Sequence, residues 1–202
     1  MSVQLDDVSR ETIDKLRALE NIATKWTQKI NLVSRASAPM LWERHILDSV
    51  QIYRAAPKKF SNWVDLGSGG GFPGVVVSIL AQESVPEARV TLVEGDARKC
   101  AFLRAALRET GSTATIINAR IELVPPLAAD VLSARALAEL ATLLGYAKRH
   151  MTAAGTAIFA KGASWKSEVS KAKSVWNFEC AAINSTLDAE AAILNITGVS
   201  RA

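Results

Sequence analysis

Residues 64–77 read VDLGSGGGFPGVVV, and five of the eight residues from Gly67 to Gly74 are glycine. The stretch joins two apolar runs, which is typical of a strand followed by a helix. Ordering a glycine costs more backbone entropy than ordering any other residue. A tight turn explains one glycine, whereas five indicate a ligand that needs close approach to the backbone. In an open α/β sheet, ligands bind beyond the carboxyl ends of strands, where a helix N-terminus offers free N–H groups.

Short apolar runs alternate with helical patterns on the carboxyl side of this turn. Such nearly all-apolar strands, separated by helices, predict a doubly wound, mostly parallel α/β sheet that is covered on both faces. Two further runs, 179–186 and 191–199, have only a short polar connection and predict an antiparallel closing pair. The predicted strands before that pair are 63–66, 89–94, 113–119, 130–134 and 156–162, and the predicted helices are 73–82, 97–110, 137–150 and 164–176.

The region before the turn is helical in pattern. Apolar residues recur at spacings of three and four over 13–30, which indicates one face of a helix. A second helix is predicted over 40–53, because Pro39 suits a first helical turn. Pro57 and the two lysines after it end this pattern.

The composition is that of an ordinary globular protein. The net charge of +4 is compatible with a polyanionic partner but does not require one. The two cysteines have no metal-ligand spacing and are expected to be buried free thiols, and no metal is expected. The N-terminus is polar and no apolar run approaches the ~20 residues that span a bilayer, so we expect a cytoplasmic protein without a membrane partner.

Two carboxylates narrow the choice of ligand. Residues 69–74 satisfy the G-x-G-x-x-G pattern of dinucleotide sites, but a glycine-rich run satisfies many patterns. Asp65 ends the first strand, where a carboxylate suits a cationic amine and repels a pyrophosphate. Glu94 ends the second strand, where it can accept both hydroxyls of a ribose. Together they favour S-adenosylmethionine over NAD, and an NAD-dependent oxidoreductase remains the alternative.

Further motifs carry a resemblance to a known family. The motifs are NLVS at 31–34, RHILDS at 44–49, the glycine stretch with its GFPG end, SARA at 133–136 and KG at 161–162. In this order they resemble the bacterial small-subunit (16S) ribosomal RNA guanine-N7 methyltransferases, also called the glucose-inhibited division protein B family. Val33 stands where that family usually has threonine.

The resemblance implies a fold, a reaction and a partner. The fold would be a Rossmann-like class I methyltransferase sheet of seven strands over residues 57–202, with residues 1–56 as a helical extension packed on it. The reaction would be methyl transfer from S-adenosylmethionine to N7 of a specific guanine. The partner would be small-subunit ribosomal RNA or a ribosomal particle, and the enzyme is expected to be a monomer. A methyltransferase of the same fold acting on a small molecule or a protein is the closest alternative.

The resemblance also implies roles for individual residues. Those expected to contact the cofactor are Gly67, Gly69, Phe72, Glu94, Ile121, Glu122 and Arg135. Within this set Glu94 would hold the ribose, and Ile121 and Glu122 would flank the adenine. Arg135 would lie in the active-site pocket.

The reaction needs orientation more than acid–base chemistry. Guanine N7 carries an available lone pair and loses no proton, so no general base is expected. Arg135 is the candidate catalytic residue, because its guanidinium can orient guanine O6 or a phosphate. The structural alternative for Arg135 is an ion pair with Glu122 or Asp130.

Three other cations are candidates for RNA contact. Arg44 and His45 could line the RNA entrance, or Arg44 could pair with Asp48 one helical turn away. Lys161 ends the fifth strand and could hold an RNA phosphate or pair with a buried carboxylate. Three lysines further on, at 166, 171 and 173, are expected to form a solvated helix face.

Overall fold

Seven strands form one mixed sheet in a computed structural model that describes residues 3–202. The strand order is β3-β2-β1-β4-β5-β7-β6, with the first five strands parallel and β7 antiparallel to both of its neighbours. The α/β class and the antiparallel closing pair are therefore confirmed. The strands are β1 Asn62–Leu66, β2 Arg89–Glu94, β3 Thr115–Asn118, β4 Ala129–Arg135, β5 Met151–Lys161, β6 Trp176–Asn184 and β7 Ala192–Arg201.

Within residues 3–202, six α-helices connect and cover these strands. They are α1 Arg10–Thr27, α2 Asp48–Ala55, α3 Gly74–Ser84, α4 Ala97–Thr110, α5 Leu140–His150 and α6 Trp165–Ala172. The caps have clear chemical causes. The Asp96 side chain accepts hydrogen bonds from two backbone N–H groups of the first turn of α4, and Gly111 ends the same helix in a left-handed conformation.

Several predicted boundaries differ from the structure. The second predicted helix, 40–53, is split, because Trp42–Leu47 forms a π-helical turn before α2 begins at Asp48. Helix α6 ends at Ala172, and the buried Trp176 already belongs to β6. Strand β5 begins at Met151 rather than at residue 156, because a bulge between β4 and β5 brings Met151 opposite Ala129. Sequence periodicity does not reveal such irregular pairing.

Two hydrophobic cores lie on the two faces of the sheet. One contains Leu16 of α1 and Ile52 of α2 together with Ile79 and Phe102 of α3 and α4. The N-terminal helices therefore share a core with the sheet and do not pack separately. Fully burying one such side chain contributes about 1.5–3 kcal/mol. The other core lies beneath α5 and α6 and includes Phe159 of β5.

The structure also bears on membrane crossing and on the burial of the two cysteine thiols. Among residues 3–202, no helix combines the length and the apolar character needed to cross a bilayer. Cys100 is buried as expected, but Cys180 is partly exposed, because it lies on β6 at the edge of the sheet.

Candidate functional site

The glycine turn lies at the carboxyl end of β1, next to the point where the strand order reverses between β1 and β4. Gly67, Gly69 and Gly71 all have positive φ, a conformation that other residues rarely adopt. Gly70 faces the N-terminal segment, and a Cβ there would lie 2.9 Å from the carbonyl oxygen of Leu32. The turn therefore has a bare backbone for two reasons, its left-handed conformation and the close approach of the NLVS segment.

Glu94 at the end of β2 is held by this backbone. Its Oε2 accepts a hydrogen bond from the Gly69 N–H at 2.8 Å, and its Oε1 accepts one from the Asp96 N–H at 2.8 Å. Each carboxylate oxygen keeps a second acceptor site. An oriented carboxylate beside a bare turn fits a ligand that carries a ribose, as the sequence predicts.

Asp65 lies beneath the turn and not on its surface. Only 1% of the residue is exposed, and its Oδ1 accepts a 2.7 Å hydrogen bond from Ser133, which in turn accepts one from Trp63. Burial raises the pKa of Asp65 to about 6, although hydrogen bonds, first among them the one from Ser133, act in the opposite direction. The expectation that this carboxylate meets a cationic amine has no support in the geometry.

The turn Ile121–Leu123 follows β3 and borders the same edge of the sheet. Ile121 is buried in the core under α5. Glu122 is exposed and accepts a 2.5 Å hydrogen bond from the Tyr146 hydroxyl, which lowers the pKa of Glu122. Both side chains are thus engaged elsewhere, which leaves the backbone of this turn to contact a ligand.

Arg135 at the end of β4 ties the N-terminal region to the sheet. Its Nη1 donates to the Arg44 carbonyl oxygen at 3.1 Å and to Asp48 at 3.3 Å, and its Nη2 lies 2.5 Å from Nδ1 of His45. The structural alternative for Arg135, an ion pair, is therefore present, but with Asp48 and not with Glu122 or Asp130, and the alternative pair Arg44–Asp48 is not formed. Asp48 pairs with Arg135 instead, at 3.3 Å and with both side chains largely buried, whereas the half-exposed Arg44 side chain faces Asp188.

These contacts use only part of the donor capacity of Arg135. A guanidinium carries five N–H donors, and the three contacts occupy three of them. Within residues 3–202 this leaves two donors for a ligand. The next residue, Ala136, has a φ of +52°, and such a strained conformation is frequent at functional sites.

His45 is held neutral by its surroundings. Burial is the main reason that its pKa is lowered to about 3, and the charges of Arg135 and Arg44 lower it further. Because a guanidinium can only donate, Nδ1 accepts from Arg135 and the proton of the ring lies on Nε2. The ring packs 5.2 Å from that of Phe72, and both residues are buried. His45 thus supports Arg135 and presents no charge to RNA.

A cavity of about 330 Å³ opens beside Arg135. It extends across the carboxyl ends of β4 and β5 to the start of β7, and residues of the π-helical turn and of the β6–β7 connection close it. The sequence reasoning missed Asp188, which comes from that connection and is the second carboxylate of the lining besides Asp48. The polar run TLDAE at 186–190 was a signal of a loop, but nothing in it indicated contact with Arg44.

The two remaining cations of the lining differ in how firmly they are paired. Lys161 lies 2.6 Å from Glu168, and its Nζ also donates to the Ala138 carbonyl oxygen at 2.9 Å. Arg44 is half-exposed and lies 4.0 Å from Asp188, which is longer than a hydrogen bond. Lys161 therefore anchors α6, whereas Arg44 remains available at the mouth of the cavity.

The part of the chain that the structure describes contains no group of three or more histidine, cysteine, aspartate or glutamate side chains that could hold a metal ion. The site consists of a bare backbone crevice and a charged cavity, with Arg135 between them.

Comparisons with known proteins show the family of this chain. Residues 12–196 match a family model described as rRNA small subunit methyltransferase G. A protein of Ruegeria sp. (strain TM1040), named ribosomal RNA small subunit methyltransferase G, is 54% identical over 96% of this chain and 95% of its own length. A protein of the same name from Paramagnetospirillum magneticum is 43% identical over 96% of this chain and 92% of its own length.

Solved structures resemble the chain in fold. A TehB-like SAM-dependent methyltransferase from Corynebacterium glutamicum superposes with a TM-score of 0.60 at 18% identity, over 90% of this chain and 98% of that one. The cofactor-bound Rv0187 from MTB superposes with a TM-score of 0.62 at 11% identity, over 92% and 90% of the two chains. At such low identity these likenesses concern the fold alone.

Proposed function

Because this chain belongs to the rRNA small subunit methyltransferase G family, we propose that it transfers a methyl group from S-adenosylmethionine to N7 of a specific guanine in small-subunit (16S) ribosomal RNA. The observation that carries the proposal is the pairing of a glycine crevice, bordered by Glu94, with a charged cavity across Arg135. Family membership removes the NAD-dependent oxidoreductase that the G-x-G-x-x-G pattern had left open.

The crevice residues fit S-adenosylmethionine. Gly67 and Gly69 would let the cofactor approach the backbone, Glu94 would accept from the ribose hydroxyls, and the backbone at Ile121 and Glu122 would flank the adenine. Phe72 belongs to the glycine turn, and its ring lies 5.2 Å from that of His45 and 5.7 Å from the guanidinium of Arg135. Phe72 would therefore separate the cofactor from His45.

Methyl transfer requires little of the protein beyond alignment of the methyl donor with guanine N7. When bound, S-adenosylmethionine supplies an already activated methyl group, and guanine N7 supplies a lone pair. No proton leaves N7, so a neutral His45 with an occupied Nδ1 is compatible with the reaction. Holding two reactants in line is worth about 7–11 kcal/mol. We assign the orientation of guanine O6 to the two remaining N–H donors of Arg135.

One cation of the cavity is the principal candidate for contact with the RNA. Arg44 is half-exposed at the cavity mouth and would contact a phosphate. Lys161 and His45 also line the cavity, but Lys161 is paired with Glu168, and His45 is neutral, with Nδ1 accepting from Arg135. We further propose that residues 57–202 are the methyltransferase domain, that residues 1–56 are a helical extension packed on it, and that the enzyme acts on ribosomal RNA or a ribosomal particle in the cytoplasm as a monomer.

A labelling experiment tests the proposal. The protein is incubated with methyl-labelled S-adenosylmethionine and either naked ribosomal RNA or small subunits from a strain that lacks the enzyme. Nuclease mapping then gives the molecule, base and position of the label. We expect one labelled 7-methylguanine in the small-subunit RNA. Label in a protein or a metabolite, with none in RNA, would overturn the proposal and favour another methyltransferase of this fold.

A further inference from the structure

We propose that the 330 Å³ cavity is the pocket for the target guanine and that Asp188 selects guanine by accepting hydrogen bonds from its N1–H and 2-amino groups. This inference rests on the proposed function and adds the residue that sets its base specificity.

The strand order defines the direction in which the base enters. Across the carboxyl edge of the sheet lie β2 with Glu94, β1 with the glycine turn, β4 with Arg135 and then β5 and β7. The cofactor crevice is therefore on one side of Arg135, and the β6–β7 connection that carries Asp188 is on the other side. A purine that turns N7 toward the crevice presents its opposite edge to Asp188.

The chemistry of that edge distinguishes guanine from adenine. Guanine has acceptors at N7 and O6, while its N1–H and 2-amino groups are donors. Adenine has an unprotonated N1 and no 2-amino group, so its ring would set lone pairs against a carboxylate. Enzymes that act on an extruded base commonly read it through hydrogen bonds to its Watson–Crick edge. A carboxylate on the far wall of the cavity is therefore a selector for guanine.

Asp188 is oriented but retains free acceptor capacity. Its Oδ1 accepts a 3.1 Å hydrogen bond from the Glu190 N–H, and its backbone oxygen accepts one from the Ala191 N–H at 3.0 Å. Its Oδ2 faces Arg44 at 4.0 Å, beyond hydrogen-bond distance. The other carboxylate of the cavity, Asp48, already accepts from Arg135. Asp188 is thus the carboxylate that a base can reach.

The negative charge of Asp188 supports its role in selecting guanine. A carboxylate in the lining of a cavity that admits RNA repels the phosphates and weakens binding to the backbone. Such a carboxylate favours binding only where the ligand presents hydrogen-bond donors to it. Arg44 beside it offsets the repulsion and can contact a phosphate once Asp188 has accepted the base.

The test changes one group on each side of the proposed contact, the 2-amino group of the base and the carboxylate of Asp188. Small-subunit particles are reconstituted with either guanosine or inosine at the target position, because inosine keeps N1–H, O6 and N7 but lacks the 2-amino group. We measure kcat/KM for the wild type, Asp188→Asn and the control Glu190→Gln, which changes the charge of an exposed side chain on the same loop. The asparagine introduced by Asp188→Asn keeps the Oδ1 acceptor that holds the loop.

For the wild type we expect kcat/KM to be about 10- to 150-fold lower on inosine, the loss typical of one hydrogen bond to a charged group. Asp188→Asn should lower kcat/KM on guanosine by a similar factor and bring the guanosine-to-inosine ratio close to one. Glu190→Gln should match the wild type, and cofactor affinity should be unchanged throughout.

Two results would overturn the inference while leaving the proposed function intact. One is a wild-type enzyme that does not distinguish inosine from guanosine, a result that needs no variant to fold. The other is an Asp188→Asn enzyme with the wild-type guanosine-to-inosine ratio. Absence of methyl transfer to the guanosine particle by the wild type would overturn the proposed function, and the inference with it.

Discussion

The glycine crevice and the charged cavity face the same edge of the sheet, but they are built from different chemical groups. Apart from the turn Ile121–Leu123 at its border, the crevice comes from one continuous stretch, residues 64–96, and consists of backbone N–H groups oriented around Glu94. The cavity comes from four separate segments, 37–48, 135–136, 160–162 and 185–193, and its polar groups are mostly side chains that pair with one another.

This difference separates two kinds of recognition. A bare backbone can hold a ligand that is the same in every reaction cycle, because its geometry is fixed by local dihedral angles. Side chains can hold a ligand that must be chosen among several bases, because the donors and acceptors that their pairs leave free can be matched to one base. Arg135 belongs to both regions, since it contacts Asp48 and His45 and lies 5.7 Å from the ring of Phe72 on the glycine turn.

The largest effect is expected from removing the group that joins the two regions. Arg135→Met should lower kcat/KM for RNA methylation by more than about 100-fold, because two donors to the base are lost. It should also destabilise the fold by about 3 kcal/mol, since Asp48 is left as a partly buried charge without its partner. Cofactor affinity, measured by calorimetry, should stay the same if the crevice is built independently.

The double variant Arg135→Met/Asp48→Asn separates the two roles of Arg135. Removing the unpaired charge should restore most of the unfolding free energy, measured by urea denaturation, but not the activity. If activity returns together with stability, Arg135 is only a structural partner of Asp48.

The next effect concerns the crevice. Glu94→Gln should weaken the binding of S-adenosylmethionine about 30-fold, within the range for a lost charge-assisted hydrogen bond. The glutamine also loses one of the two hydrogen bonds, from the Gly69 and Asp96 N–H groups, that hold the carboxylate of Glu94. Isothermal titration gives the affinity, and Glu87→Gln, an exposed change near the other end of β2, is the matched control. An unchanged affinity would contradict the ribose role and leave the crevice defined by backbone alone.

The contrast between the crevice and the cavity also explains which parts of the structure could be predicted from the sequence. The crevice was predictable, because glycine spacing and the position of Glu94 at a strand end are local signals. The α/β sheet and its antiparallel closing pair were predictable for a similar reason, since periodicity and short connections leave few arrangements. The π-helical turn was not predictable, because the same helical spacing also fits an uninterrupted helix.

The cavity could be predicted only in part. The resemblance placed Arg135 in the active-site pocket, and Arg44 and His45 were candidates for the RNA entrance, but their partners depend on side chains that are distant in sequence. Asp48 is 87 residues from Arg135, and both it and Asp130 were chemically suitable partners for an arginine. Asp188 carried no signal, because a single aspartate in a polar loop is ordinary unless the tertiary structure places it in a cavity.

A smaller effect is expected in the pH dependence of stability. The pKa of His45 is lowered to about 3 in the folded state, so the unfolded chain binds more protons between pH 3 and 6.5. Stability from this group is therefore present above pH 6.5 and is lost as the pH falls. The loss between pH 6.5 and 5 should be about 1.5 kcal/mol.

Comparison with a variant isolates this contribution. The pKa of Asp65 is raised to about 6, which acts with the opposite sign below pH 6 but is present in both proteins. His45→Gln keeps an acceptor for Arg135, and its unfolding free energy should fall about 1.5 kcal/mol less than that of the wild type between pH 6.5 and 5. Urea denaturation at the two pH values gives both quantities. Equal losses would mean that His45 is charged in the folded protein and that the cavity is more open to water than its geometry indicates.

The smallest effect tests how the wall of the cavity is held. Thr186 donates to Gln51 Oε1 through its backbone N–H at 3.0 Å and through its hydroxyl at 2.9 Å, which ties the β6–β7 connection to α2. Thr186→Val keeps the first bond and removes the second, and an exposed neutral hydrogen bond contributes below about 1 kcal/mol. The unfolding free energy should therefore hardly change, while the Leu187 amide should exchange with solvent faster and kcat/KM should fall about threefold. Thr113→Val, an exposed change before β3, is the control. If exchange at Leu187 stays slow, the loop is held by its own turn around Asp188 and the cavity resembles the crevice in being locally built.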